Sequence, residues 1–264
     1  MIPIGDENHT IRTPIVTYLL LAALAVVWLV VQGGGFDELT LATTVCNLGL
    51  VPGEITQRAV VGTSVPIGEG LVCSVDREAI NTLTPVTSMF LHGSWSHLLG
   101  NAVFLWVFGN NVEDSMGRVR FLVFYVLTGL AAAAAQVFVD PASPVPMVGA
   151  SGAISGVLGG YLVLYPRVRV RILFIWFVFI QVLRIPAYLV LLWWIGYQVL
   201  MGLPQLAAVE NEVSSGVAFW AHIGGFVAGL VLVKFFARAD YVEQHRAQGF
   251  RGGGSFRRPS SIFG

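Results

Sequence analysis

The sequence predicts an all-α, polytopic membrane protein, a bundle of six helices whose fourth is short and opens on a serine. Three observations predict it. The 264 residues are 55% hydrophobic and only 11% charged, where soluble domains carry about 25% charged residues. Apolar runs near the roughly 20 residues that a membrane helix needs recur along the chain. The formal net charge of zero hides basic residues gathered in alternate connections. The lipid bilayer is therefore an expected partner, and nucleic acid is not.

Residues 1–14 form a polar leading segment, and 15–31 the first span. A cleaved signal peptide fits poorly, because Asp6 and Glu7 precede a long apolar core. Residues 32–91 contain no span. They hold Gly33-Gly34-Gly35, Pro52, Pro66, both cysteines and six of the fifteen acids. A stretch of this length reads as a long ordered loop or a small subdomain, packed on the membrane surface. Residues 94–112 form the second span, with Ser94 as a candidate N-cap. It carries His97 and Asn101, whose spacing puts both on one helical face. Polar side chains at membrane depth face the protein interior, where these two either bond neighbouring helices or serve chemistry. His92 lies just before them.

A charged turn (Glu113, Asp114, Arg118, Arg120) leads to the third span, 121–139. A proline-rich connection leads to the fourth, 151–165, closed by Pro166. Residues 172–183 are apolar but short for a span. Arg171 and Arg184 flank them, so an interfacial hairpin is expected. The fifth span is 186–203, followed by a polar loop over 204–217. The sixth is 218–237, so that 15–237 is one six-helix domain. Residues 238–264 form a basic tail, rich in Gly and Arg, expected to be disordered.

Charge sets the orientation. With the N-terminus inside, thirteen of the fifteen basic residues face the cytoplasm, and only Arg58 and Arg77 face outward. That is a strong positive-inside bias. It predicts that both termini of this multi-pass protein are cytoplasmic, and the short, simple chain suggests the plasma (inner) membrane of a prokaryote. Loops 32–91, 140–150 and 204–217 then face outward.

This topology brings His97, Ser151 and His222 to a similar depth, near the outer starts of helices 2, 4 and 6. A serine at a helix start is most often a cap. A second reading follows from the histidine at the same depth. A serine hydroxyl becomes a useful nucleophile when a base takes its proton, and His222 is the candidate base. No Asp or Glu lies in a span at that depth, so a Ser–His dyad is expected rather than a triad. The oxyanion of acyl transfer needs preorganised donors. The Ser151 backbone N–H, His97 and Asn101 are available. Gly152, Gly156 and Gly160 recur at four-residue spacing, as do Gly225 and Gly229, a pattern that lets membrane helices approach closely. No Cys/His/Glu set has metal-ligand spacing, so neither metal nor cofactor is expected. Cys46 and Cys73 share the outer loop, where a disulfide is permitted but not decided by spacing.

Gly149-Ala-Ser-Gly152, Ala221-His-Ile-Gly-Gly225 and His92-x4-His97-x3-Asn101 together resemble the signature of the rhomboid family of intramembrane serine proteases. The resemblance covers roughly residues 15–237. It implies a six-helix fold and an endopeptidase that cuts in or beside the transmembrane segment of single-spanning membrane proteins. It implies Ser151 as nucleophile and His222 as general base. His97, Asn101 and the Ser151 amide would form the oxyanion hole, with Gly149, Gly152, His92 and Gly225 in support. Glu113 and Gly117 match a structural acid-x3-glycine turn. Two features depart from the pattern. Ser155 stands where many relatives carry an aromatic residue that stacks on the histidine, and no Trp-Arg pair occurs between 32 and 91. The rival reading of the same fold is a non-catalytic chaperone or scaffold that binds client helices. Oligomeric state is not readable.

Two further expectations concern access. Helix 5 is rich in bulky side chains (Trp193, Trp194, Tyr197), so it is expected to pack loosely and admit substrate sideways. Helix 4 spans about 22 Å at 1.5 Å per residue, less than the roughly 30 Å hydrocarbon core. Ser151 is therefore expected below the outer surface, in a water-filled cavity.

Overall fold

The computed structural model describes residues 2–68, 70–76, 82–176, 179–207 and 217–249. The protein is mostly helical, and helices occupy all six stretches read as spans. Among the described residues, three are long and apolar enough to cross a bilayer: Arg118–Val139, Ala187–Leu206 and Phe219–Phe236. Ile15–Val31 and Ser151–Leu164 are shorter apolar helices.

In chain order, strand β1 (Ile2–Asp6) precedes α1 (Ile15–Val26), which continues as a π-helical turn over Val27–Val31. The described residues of the 32–91 stretch are ordered. Helix α2 (Glu38–Leu48) is capped by Asp37, whose carboxylate accepts from the Leu39 and Thr40 amides. A short turn α3 (Pro52–Ile55) and a hairpin of β2 (Ser64–Gly68) and β3 (Leu71–Ser74) follow. Cys46 and Cys73 are disulfide-bonded and tie α2 to β3. The loop is pinned to the 140–150 connection by the Leu50–Met147 bridge and by the Gly53 amide on the Ser143 carbonyl. A turn α4 (Thr84–Thr87) then leads to α5 (Trp95–Phe104), where Ser94 accepts from the His97 amide as expected of an N-cap.

The expected second helix is not one regular segment. After α5 comes a π-helical stretch, Leu105–Gly109, and then α6 (Asn110–Met116). Gly117, at φ +82°, breaks the chain and starts α7 (Arg118–Val139), three residues earlier than the sequence suggests. Glu113 acts structurally. Its carboxylate accepts from the Val16 and Thr17 amides and the Thr17 hydroxyl, at 2.7–2.9 Å, satisfying donors left free at the start of α1.

Helix α8 (Ser151–Leu164) lies at the centre, buried without interruption from Ala153 to Tyr161. A helix enclosed on every side is a core helix. It contacts α7 and α10 (Phe219–Phe236) most extensively. Phe108, Phe121, Phe124 and Tyr125 are fully buried around it. The glycine rows explain the approach. A Cβ on Gly225 would sit 2.1 Å from the Gly152 carbonyl oxygen, and one on Gly229 would sit 2.0 Å from that of Gly156. The outer faces of the bundle are apolar, with Leu19, Phe138, Leu200 and Phe235 exposed, as a membrane protein requires.

Three expectations are corrected. The fold is not all-α. The apolar stretch 172–183 is part of a β-hairpin, β4 (Arg169–Trp176) with β5 (Phe179–Pro186), and β1 pairs with β4 to make a three-stranded sheet. Arg169 and Arg171 are exposed while Val170 and Ile172 are buried, a period of two that marks a half-buried strand. The fifth helix, α9 (Ala187–Ala207), runs through Pro204 into the expected loop. Residues 208–216, with the Ser214-Ser215-Gly216 expected to be flexible, lie outside the described residues, as does Arg77.

The tail is the third correction. The sequence predicts disorder from 238 onward, but α11 (Ala239–Gly249) is a helix docked against α6. The buried His245 explains it, with Nδ1 2.9 Å from the Tyr165 hydroxyl and 3.2 Å from Asp114. Asp114 also accepts from the Arg12 guanidinium. Residues 250–264 lie outside the described residues.

Candidate active site

Ser151 is the first residue of α8. The irregular chain before it ends at Gly149, which has φ +128°. A Cβ there would lie 2.7 Å from the His97 ring, so only glycine fits. The Gly149 amide donates to the Ser88 carbonyl at 2.8 Å, fixing the entrance to the helix.

His222 lies on the first turn of α10. Its Nε2 is 2.8 Å from the Ser151 Oγ, within the normal range for a strong hydrogen bond. Gly152 and Gly225 hold α8 and α10 together just beside this pair. Two side chains far apart in sequence therefore meet because neither helix carries a Cβ at the crossing.

His97, Asn101, Gly149, Ser151 and His222 line one cavity of about 440 Å³. His97 and Asn101 share one face of α5, as their spacing predicts. The Asn101 side-chain nitrogen is 2.9 Å from His92 Nε2. His92 is itself clamped by Gln32, which accepts from the His92 amide at 2.9 Å and donates to its carbonyl at 2.7 Å. His92 thus acts on Asn101, not on the serine. The His92 and His97 rings meet edge to face, with centroids 5.0 Å apart. Among the described residues, no group of three or more His, Cys, Asp or Glu is arranged to hold a metal ion.

Sequence reasoning missed Gln32, Gln198 and Trp194. The Gln198 Oε1, on α9, is 2.8 Å from His222 Nδ1. One turn earlier on the same helix, the Trp194 ring lies 5.8 Å from the imidazole, centroid to centroid. The aromatic neighbour absent at Ser155 is supplied from α9. Ser155 is fully buried, and its hydroxyl donates to the Ser151 carbonyl at 2.6 Å. The available signal was Gln198 itself, a polar side chain in an apolar helix, which the cost of burial turns inward.

The arrangement can move a proton from the serine oxygen to the imidazole while a neighbouring donor set faces the same cavity. Several known proteins share sequence with this chain. Rhomboid protease GluP of Bacillus subtilis is 34% identical over 157 residues, 60% of this chain and 25% of that protein. RHOMBOID-like protein 5 of Arabidopsis thaliana is 27% identical over 198 residues, 74% of this chain and 57% of that protein. Rhomboid-like protein 11, chloroplastic, of the same plant is 29% identical over 153 residues, 56% and 50% respectively. The chain thus spans roughly half or less of the length of these relatives. The Rhomboid domain model matches residues 81–239, the stretch that contains His97, Asn101, Ser151 and His222, and the chain belongs to the rhomboid family.

Proposed function

We propose that this rhomboid is an intramembrane serine endopeptidase working through a Ser151–His222 dyad. The 2.8 Å contact between the Ser151 Oγ and His222 Nε2 carries the reading. The Ser151 oxygen attacks the scissile carbonyl carbon as its proton passes to His222 Nε2. The carbonyl oxygen takes the negative charge, facing His97, Asn101 and the Ser151 amide. The C–N bond then breaks, His222 gives its proton to the departing amine, and an ester remains on Ser151. Water, deprotonated by His222, attacks that ester and releases the carboxylate product.

Further features support the orientation and the substrate class. Six helical stretches act as spans, with both termini cytoplasmic. The Cys46–Cys73 bond suits an oxidising side, and it lies on the side poor in Lys and Arg. The cavity around Ser151 opens toward that side, and water reaches the dyad there. The substrates are single-spanning membrane proteins that approach past α9, whose outward residues Trp193 and Leu200 are 63% and 65% exposed. The membrane is the plasma (inner) membrane.

A fluorophosphonate probe tests the reading. Covalent labelling of the wild type, lost in Ser151→Ala, is expected. Protein that folds and purifies normally yet takes no label is instead the non-catalytic scaffold.

A further inference from the structure

His222 is held from both sides, and only one side belongs to the dyad. On the other side stands α9. Its inward face carries Leu191, Trp194, Gln198 and Gly202, spaced three or four residues apart. Gln198 is 6% exposed, although its helix is otherwise largely open to the outside. A buried amide that faces a single imidazole nitrogen needs a reason.

The reason follows from proton placement. For His222 to take the Ser151 proton, Nε2 must be bare, so the ring proton sits on Nδ1. That Nδ1–H needs an acceptor, and the Gln198 Oε1 is 2.8 Å away. If the amide were reversed, its N–H would donate to a bare Nδ1, and Nε2 would then carry the proton. That tautomer donates to the serine oxygen and cannot act as its base. Soluble hydrolases assign this role to a carboxylate. Here a neutral amide does it without a buried charge, which would be costly at membrane depth.

We propose that Gln198 is a positioning residue for His222, selecting the reactive tautomer, and that it makes the dyad competent only while α9 lies against α10. This rests on the protease reading. The helices are joined along this face at two further points. The Trp194 ring packs on His222 and Phe226, and the Trp220 indole donates to the Gly202 carbonyl at 3.1 Å. When α9 moves away, His222 loses both its acceptor and its ring neighbour. The opened state admits substrate but is chemically idle, and catalysis follows re-closure.

The test uses the full-length protein and a small fluorophosphonate, which does not need α9 to move. Gln198→Leu keeps the side-chain bulk and removes the acceptor. It is expected to slow labelling about 10- to 100-fold, as for a buried group left without its partner. Gln198→Glu, which restores an acceptor, should recover most of the rate. In peptide cleavage the loss should fall on kcat and leave KM within about twofold, because transition-state interactions alone are removed. A purely structural role would instead lower thermal stability in both variants, with no recovery by Glu.

A second arm locks the helices. A Cβ on Gly202 would lie 3.3 Å from the Phe219 Cβ, close to the separation in a disulfide. Oxidised Gly202→Cys/Phe219→Cys is expected to label with the small probe at the wild-type rate. Wild-type labelling by Gln198→Leu overturns the positioning role, and an inert locked form overturns the coupling. Either leaves the protease reading intact so long as Ser151→Ala abolishes labelling. An unlabelled wild type removes both.

Discussion

The approach of α8 and α10 is the structural basis of the dyad, and Gly225→Ala probes it at the crossing. The new Cβ would stand 2.1 Å from the Gly152 carbonyl oxygen and 3.0 Å from its carbon. Non-bonded carbon contacts settle near 3.5 Å, so α10 must retreat by about 1 Å. Gly152 follows Ser151 directly, and Gly225 lies three residues after His222, so the retreat falls on the 2.8 Å hydrogen bond itself. At about 3.8 Å that contact is no longer a hydrogen bond. A misplacement near 1 Å costs about 10²-fold in rate, and overpacking costs about 1–3 kcal/mol of stability. The assay is the rate of fluorophosphonate labelling, with thermal unfolding measured in parallel. Gly229→Ala separates the two effects. Its Cβ meets the Gly156 carbonyl oxygen at 2.0 Å, but one turn farther from the serine. It should destabilise as much and slow labelling less. Gly196→Ala, where a Cβ meets nothing within 4 Å, should change neither. Wild-type labelling by Gly225→Ala would refute the claim that glycine packing sets the dyad distance.

Three other outcomes are expected. Asn101→Ala should retain partial activity, with kcat down about 10²- to 10³-fold, as for loss of one oxyanion donor; unchanged kcat would remove Asn101 from that role. Cys46→Ser should lower stability by about 2–4 kcal/mol, readable as a drop in Tm that reductant reproduces in the wild type. Asp6 gives a pH signature: burial raises its carboxyl from 3.8 to about 6, against the Tyr161 hydroxyl that bonds to it. The fold therefore favours the protonated form, and stability should decline as pH rises from about 4 through about 6. Asp6→Asn should abolish that decline; thermal unfolding across the range checks it.

Legibility followed sequence distance and residue type. The six helical stretches were readable because each is a local apolar run. Ser151, His222, His97 and Asn101 were readable because polar residues are conspicuous in such runs. The glycine rows predicted the α8–α10 crossing correctly, since a missing Cβ is visible in sequence. Gln198 and Trp194 were not assigned, because a polar residue in α9 signals an inward face but not that this face meets His222. The sheet escaped notice because β1 pairs with a strand more than 160 residues away, and the alternation of Arg169 and Arg171 with Val170 and Ile172 covers only the first half of β4 before an apolar run takes over. The docking of α11 depends on His245 reaching Asp114 and Tyr165, three positions that only the folded chain brings together.

The most direct measurement is cleavage of a single-spanning membrane protein by the purified protein in liposomes, with the cut mapped by mass spectrometry. The account predicts one major cut near the end of the substrate helix on the Ser151 side, the side of the Cys46–Cys73 loop. It also predicts that Ser151→Ala and His222→Ala each abolish the cut while still inserting and folding. Cleavage that survives either substitution, or a cut at the end of the helix beside the two termini, would contradict it.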